Sequence, residues 1–419
     1  MKIKQIALPL DKVMSIQPKL SKKRPKPSRF FATLIRIIST PDLVGTKFTY
    51  KKERMDLAGK GPYFVIMNHS SFIDLKIAFK LLYPKRFYTV MTTDGMVGKK
   101  WLMESIGCLP TKKFIPDVSL IMNVSNALHK EKISVLMYPE AGYSFDGTAV
   151  VLPKKFGTVI KKLNVPVVSI ITDGAYLRQP LYNNLKLRKV KTSATMKCLL
   201  TKEEVNNLST AEIEDIVSKE FTFDNFKTQF ERKIKVTEPT RAEGLNRILY
   251  KCPNCKKEGL METKNDTITC NGCKKSYVLT EYGNLQATDG ETEFGFVSNW
   301  YNWEREEVKK ELLSNAYSMD LDVDIGVLTD YKALYTVGKG RLLHDKDGFK
   351  LFDATGNLIY SQSPTFTYSL NSDFFWYEIG DVISIGDNNR LYYLFPTKKD
   401  VVTKARLATE ELYKILKNN

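Results

Sequence analysis

Histidine is scarce in this chain, with three among 419 residues, at positions 69, 129 and 344. His129 in NALHKEK and His344 in LLHDKDG have no partner at metal-ligand spacing, so neither marks a metal site and both are expected at the surface. Long apolar runs are missing as well. No stretch approaches the roughly 18 consecutive apolar residues that a membrane-spanning helix needs. The opening MKIKQIALPLDKVM holds neither a long apolar core nor a small-residue cleavage site. A cytoplasmic location is expected, and disulfides between the cysteines are not. Internal repeats and low-complexity tracts are absent apart from one basic arm, which excludes a solenoid.

What is present is the composition of a globular protein, 43% hydrophobic and 26% charged, long enough for about two to four domains. The formal charge of +17 is unevenly spread: residues 1–60 carry +11, residues 61–290 another +11, and residues 291–419 sum to −5. A basic front end calls for an acidic partner such as anionic lipid, nucleic acid or a phosphorylated substrate.

Five regions follow from pattern. Residues 1–45 comprise a basic arm, SIQPKLSKKRPKPSR, and an amphipathic helix, SRFFATLIRIISTP, which Pro41 should stop. That helix either docks onto the next domain or lies in a membrane surface, the arm supplying a second attachment signal. In 46–235, YFVIM, FYTVM, ISVLMY and VPVVSII read as buried strands alternating with helices, which predicts an α/β layer with a largely parallel sheet. Residues 236–290 hold a spacer helix, GLNRILYK, and four cysteines. A connecting helix, NWYNWEREEVKKELL, fills 291–320. Residues 321–419 are short strands closed by a helix, a small β-barrel or sandwich.

IMNHSSFID, Ile66 to Asp74, holds a possible catalytic pair. YFVIM should end near Asn68 and SFIDLKIAFK should be helical, with Ser70 or Ser71 as cap. On one continuous helix, residues five apart diverge. If His69 lies in the turn before the helix and Asp74 in its first turns, the carboxylate reaches back to the imidazole. It would fix the ring tautomer and leave the other nitrogen free to take a proton. The alternative is a histidine satisfied by local backbone, with Asp74 as a favourable first-turn charge. No serine or cysteine nucleophile elbow accompanies the pair, which points to direct proton abstraction from a substrate hydroxyl.

Three blocks follow in order: IGCLPTKK with Gly107, Lys112 and Lys113; VLMYPEAGYS with Pro139, Glu140 and Gly142; and the strand Val165-Pro166-Val167-Val168. Together with Asn68, His69 and Asp74, this order resembles the glycerolipid acyltransferase family that includes bacterial lysophosphatidic acid acyltransferases, over residues 46–235. The resemblance implies transfer of a fatty acyl group from acyl-CoA or acyl-carrier protein to the hydroxyl of a lysophospholipid, foremost 1-acylglycerol-3-phosphate, in phospholipid synthesis. By it, His69 is the general base, Asp74 orients it, and Asn68, Gly107, Lys112, Lys113, Pro139, Glu140 and Gly142 belong to the acceptor side. It also implies a peripheral position on the inner face of the cell membrane. Two departures stand out. Lys113 occupies a position where the family usually has arginine. Pro139-Glu140-Ala141-Gly142-Tyr143 replaces the usual Pro-Glu-Gly-Thr-Arg, so an arginine is absent. Lysine keeps charge without the bidentate fork that suits phosphate. Lys154 and Lys155 either supply the missing charge or form an exposed helix start. A different hydroxyl acceptor, or a catalytically silent lipid- or protein-binding module, stays open.

Cys252, Cys255, Cys270 and Cys273 form two C-x2-C knuckles at the spacing of a structural tetrahedral zinc site, a zinc ribbon. Cys108 and Cys198 are expected to be packed thiols. The ribbon lacks a dense aromatic and basic face, so nucleic acid is not the expected partner. The last hundred residues resemble a pleckstrin-homology-like domain in their succession of strands and one helix. Their acidic balance favours packing against the basic front over binding a membrane.

Overall fold

A computed structural model describes residues 2–17 and 25–418. The centre of the basic arm, residues 18–24, lies outside the described residues. No helix among the described residues is long and apolar enough to cross a membrane.

Runs such as FVIM have no polar face to offer water, so they must be covered on both sides. They form the centre of a seven-stranded sheet in the order Thr49–Glu53, Ser193–Leu200, Val167–Asp173, Phe64–Met67, Ser134–Met137, Phe87–Thr92, Cys108–Thr111. The five strands from Val167–Asp173 onward are mutually parallel, and Ser193–Leu200 runs antiparallel to its neighbour. Alternation along each strand divides the core. Phe64 and Ile66 join helices Val118–His129, Phe156–Leu163 and Thr210–Glu220 on one face, while Val65 and Met67 join Ile73–Leu82 on the other. Thr49–Glu53 is an edge strand of exposed residues, and its lack of apolar residues hid it from pattern reading.

The amphipathic helix spans Arg29–Gly45 and continues through Pro41 rather than stopping there. Pro41 faces solvent, where water can satisfy the carbonyl that its ring leaves free. Ala32, Ile35 and Leu43 pack onto the sheet layer, and Asp42 pairs with Arg178 and, at 2.7 Å, with Lys76. Phe30, Leu34, Ile37, Ile38 and Val44 point outward and are exposed. The helix therefore docks and also presents an apolar stripe.

GLNRILYK is not a helix. Only a 3-10 turn forms, at Leu245–Arg247, because Ile248, Leu249 and Tyr250 are consecutive and all buried, which one helix face cannot achieve. The cysteine region is a four-stranded antiparallel sheet, Met261–Lys264 to Leu285–Ala287. Helix Val297–Leu313 leads into the C-terminal sheet.

In that sheet, Met319–Leu328 pairs with both Leu334–Asp345 and Leu391–Pro396. It thereby joins a four-strand meander to a three-strand one, Asn371–Trp376, Gly380–Gly386, Leu391–Pro396. Helix Val402–Asn418 closes the region, with Val402, Ala405 and Leu412 buried. Residues 5–7, grouped with the arm by composition, form a strand here: Gln5–Ala7 lies parallel to Leu334, Tyr335 and Thr336. His344 is not at the surface. Inward alternation buries it, its ring stacks on Phe349 at 3.7 Å, and Nδ1 meets the Tyr317 hydroxyl at 2.8 Å. Burial pushes its pKa down to about 3, so it is neutral. His129 is exposed as expected.

Candidate active site

The strand Phe64–Met67 ends against a loop, Asn68 to Phe72, before helix Ile73–Leu82 begins. His69 sits in the loop and Asp74 in the first helical turn, with Nδ1 and Oδ2 3.3 Å apart. Asp74 is fully buried and does more than face the imidazole: Oδ2 accepts the backbone N–H of Ser70 at 2.7 Å and of Ser71 at 2.9 Å. Expected serine caps are absent, and the carboxylate braces the loop ahead of the helix instead. His69 Nε2 has no protein partner among the described residues, so it is free to exchange a proton. Its ring lies between two tyrosines, Tyr138 at 4.1 Å and Tyr143 at 4.4 Å between centroids.

His69 opens on a cavity of 1190 Å³ with a largely apolar lining. Pro139, Gly142, Lys112, Lys113, Lys154 and Lys155 line it too. Two hydroxyls of residues on its wall, Ser71 Oγ and Tyr138 OH, are buried and unpartnered.

Three residues placed on the acceptor side by sequence serve the scaffold instead. The Asn68 amide is spent on the neighbouring strand: Oδ1 accepts Thr172 N–H at 2.7 Å and Nδ2 donates to Thr172 O at 3.2 Å. Glu140 is fully buried and clamps two loops, accepting His69 N–H at 2.7 Å and Val150 N–H at 2.9 Å. Burial pushes its pKa up to about 8 against the pull of those two bonds. Gly107 caps helix Lys100–Ile106 at φ 106°, with Pro27 and the Phe87 carbonyl so close that a Cβ would clash. None of the three lines the cavity.

The lysine block is in place, and Lys112 is engaged. Lys112 Nζ donates to the backbone carbonyl of Asn388 in the C-terminal sheet region. Burial pushes the carboxyl of Asp373 up to about 6, while the charge of Lys113 pulls it down. Tyr138 and Tyr143, missed as site residues, had a signal: aromatic residues flank the Pro-Glu pair, and one stands where the family has arginine.

At a distance from the cavity, the four cysteine Sγ atoms lie within 4.8 Å of one another, with Cys252 to Cys273 at 3.6 Å and Cys255 to Cys270 at 3.7 Å. Tetrahedral bonds of about 2.3 Å give sulfur–sulfur edges of about 3.8 Å, so the four could hold an ion such as zinc. Cys108 and Cys198 are buried free thiols.

A family model described as Acyltransferase matches residues 47–173. That span takes in the His69 loop, the lysine block and Glu140, and ends before the cysteine cluster. It supports the acyltransferase reading of this segment. No curated protein matches the chain. Among solved structures, the chain is similar to the crystal structure of the 1-acyl-sn-glycerophosphate (LPA) acyltransferase PlsC from Thermotoga maritima. Identity is 16% and the TM-score 0.36, covering 46% of this chain and 78% of that one.

Proposed function

We propose that the protein transfers a fatty acyl group from a thioester donor, acyl-CoA or acyl-carrier protein, to the hydroxyl of a glycerolipid acceptor at a membrane surface. The observation that carries this is the His69–Asp74 contact in a cavity wall, within the segment that matches the family. His69 Nε2 takes the acceptor hydroxyl proton as the oxygen attacks the thioester carbonyl. The C–S bond then breaks, and the thiolate leaves with the proton that His69 returns. A thioester is already activated, so positioning and proton removal do most of the work. Asp74 holds the ring through Nδ1.

The acceptor first expected, 1-acylglycerol-3-phosphate, requires a phosphate site. A second reading, another hydroxyl-bearing lipid, is favoured by one observation: Lys112 is tied to Asn388, so it is not free as the family arginine would be. Purified protein given acyl-CoA, acyl-carrier protein and a panel of lysolipids, with products read by mass spectrometry, separates the readings. Turnover that persists unchanged in His69→Ala would sink the mechanism.

Anionic membrane is the proposed partner, on the inner face of the cell membrane. It is supported by the exposed stripe of helix Arg29–Gly45 beside a basic segment. Ile37→Glu with Ile38→Glu should weaken binding to anionic vesicles, and an unchanged partition coefficient counts against it. Zinc at the four cysteines is proposed as structural, since four thiolates leave no open position. Native protein without bound metal would rule it out. The C-terminal strand order is the support for a pleckstrin-homology-like fold there.

A further inference from the structure

We infer that the C-terminal β region is a working wall of the acyl-transfer cavity and that its aromatics Phe366 and Phe375 bound the alkyl chain of the acyl donor. This rests on the acyltransferase reading above. The cavity, at 1190 Å³, exceeds the about 300–1,000 Å³ of ordinary small-molecule pockets and suits a long lipid. One side comes from the segment that matches the family, with His69, Val90, Met137 and Val159. Further lining comes from residues between 366 and 378 and from Tyr413 and Lys417 of the last helix, far outside that segment.

This wall is fixed in place by contacts across the boundary. Phe374 packs on Phe145 at 4.4 Å between centroids, and Tyr368 meets Phe114 at 5.3 Å. Gly98 N–H donates to Tyr331 O at 2.8 Å, and Asn388 Nδ2 donates to Pro116 O at 3.1 Å. Phe366 and Phe375 differ from those packed rings. They are 37% and 40% exposed, they line the cavity, and neither has a ring partner among the described residues. Phe375 is also held at φ 52°, followed by Tyr377 at 47° and Glu378 at 65°, backbone that non-glycine residues adopt only when surroundings enforce it. Apolar rings kept unpaired at an apolar cavity gain most when a chain covers them, and that gain grows with each methylene buried.

The test is calorimetric binding of palmitoyl-CoA and butyryl-CoA to the full chain, wild type, Phe366→Ala with Phe375→Ala, and Phe366→Leu with Phe375→Leu. Palmitoyl-CoA affinity should fall about tenfold in the alanine pair and recover in part with leucine, while the butyryl-CoA constant moves by less than about twofold. Equal losses for both donors, no loss for either, or no palmitoyl-CoA binding to wild type overturns the inference. The two claims fail separately. Wild type that binds palmitoyl-CoA with this selectivity but acylates nothing defeats the acyltransferase reading alone. An enzyme whose alanine pair keeps its chain-length preference defeats the wall alone.

Discussion

The His69 loop and the Lys112–Lys113 block border the same cavity, yet they are built in opposite ways. The loop is secured at short range: Asp74 reaches back to Ser70, Ser71 and His69, with Glu140 and Thr172 bracing from adjoining sheet elements. In the lysine block, Lys112 is secured at long range, by Asn388 of a region that begins some two hundred residues later in the chain. Chemistry written into one short loop survives changes elsewhere. Chemistry that depends on what a distant region supplies can be retuned by that region without altering the block itself.

The sharpest break of this contrast is His69→Ala, expected to lower kcat on the order of 10³-fold in the acyl-transfer assay with an unchanged melting temperature. Asp74→Asn should lose on the order of 10²-fold in kcat and also melt earlier, because two backbone N–H groups lose their ionised acceptor. A pure stability loss at full kcat would remove Asp74 from the mechanism. Tyr138→Phe deletes one buried, unpartnered hydroxyl and should leave the melting temperature unchanged or raise it, since that hydroxyl bonds to nothing in the protein. Lys112→Ala should change KM by less than about threefold, its ammonium being already spent on Asn388. A much larger rise in KM for phosphate-bearing acceptors alone would return this lysine to the phosphate role.

The smallest effect concerns Asp373. Its pKa rises on folding from 3.8 to about 6, so its contribution to stability is fullest below 3.8 and declines as pH climbs through about 6. Asp373→Asn removes that decline. The variant should gain stability over wild type across this window, by on the order of 1 kcal/mol at neutral pH. A difference in melting temperature that stays flat with pH would show that the carboxyl is not strained by burial.

The same division explains what could be read in advance. Four-residue apolar runs need cover on two faces, so the central strands and the α/β layering were legible, and the His69–Asp74 device was legible because it is local. The scaffold contacts of Asn68 and Glu140 were not legible, because their partners, Thr172 and Val150, are fixed only by folding. Thr49–Glu53 escaped notice because an exposed edge strand carries no apolar pattern. Helix Arg29–Gly45 outran its proline because solvent takes over the lost bond. The aromatic wall had no signature, as its residues become a cavity lining only when two regions meet.

The pairing of residues 5–7 with residues 334–336 constrains how the molecule is made. Residues 5–7 must wait for a partner at residues 334–336, so this pairing is a long-range contact, costly in loop-closure entropy and slow to form. Without residues 366–378 in place, the cavity on which His69 opens would lack part of its lining. The complete cavity thus depends on bringing together residues that lie far apart in the chain.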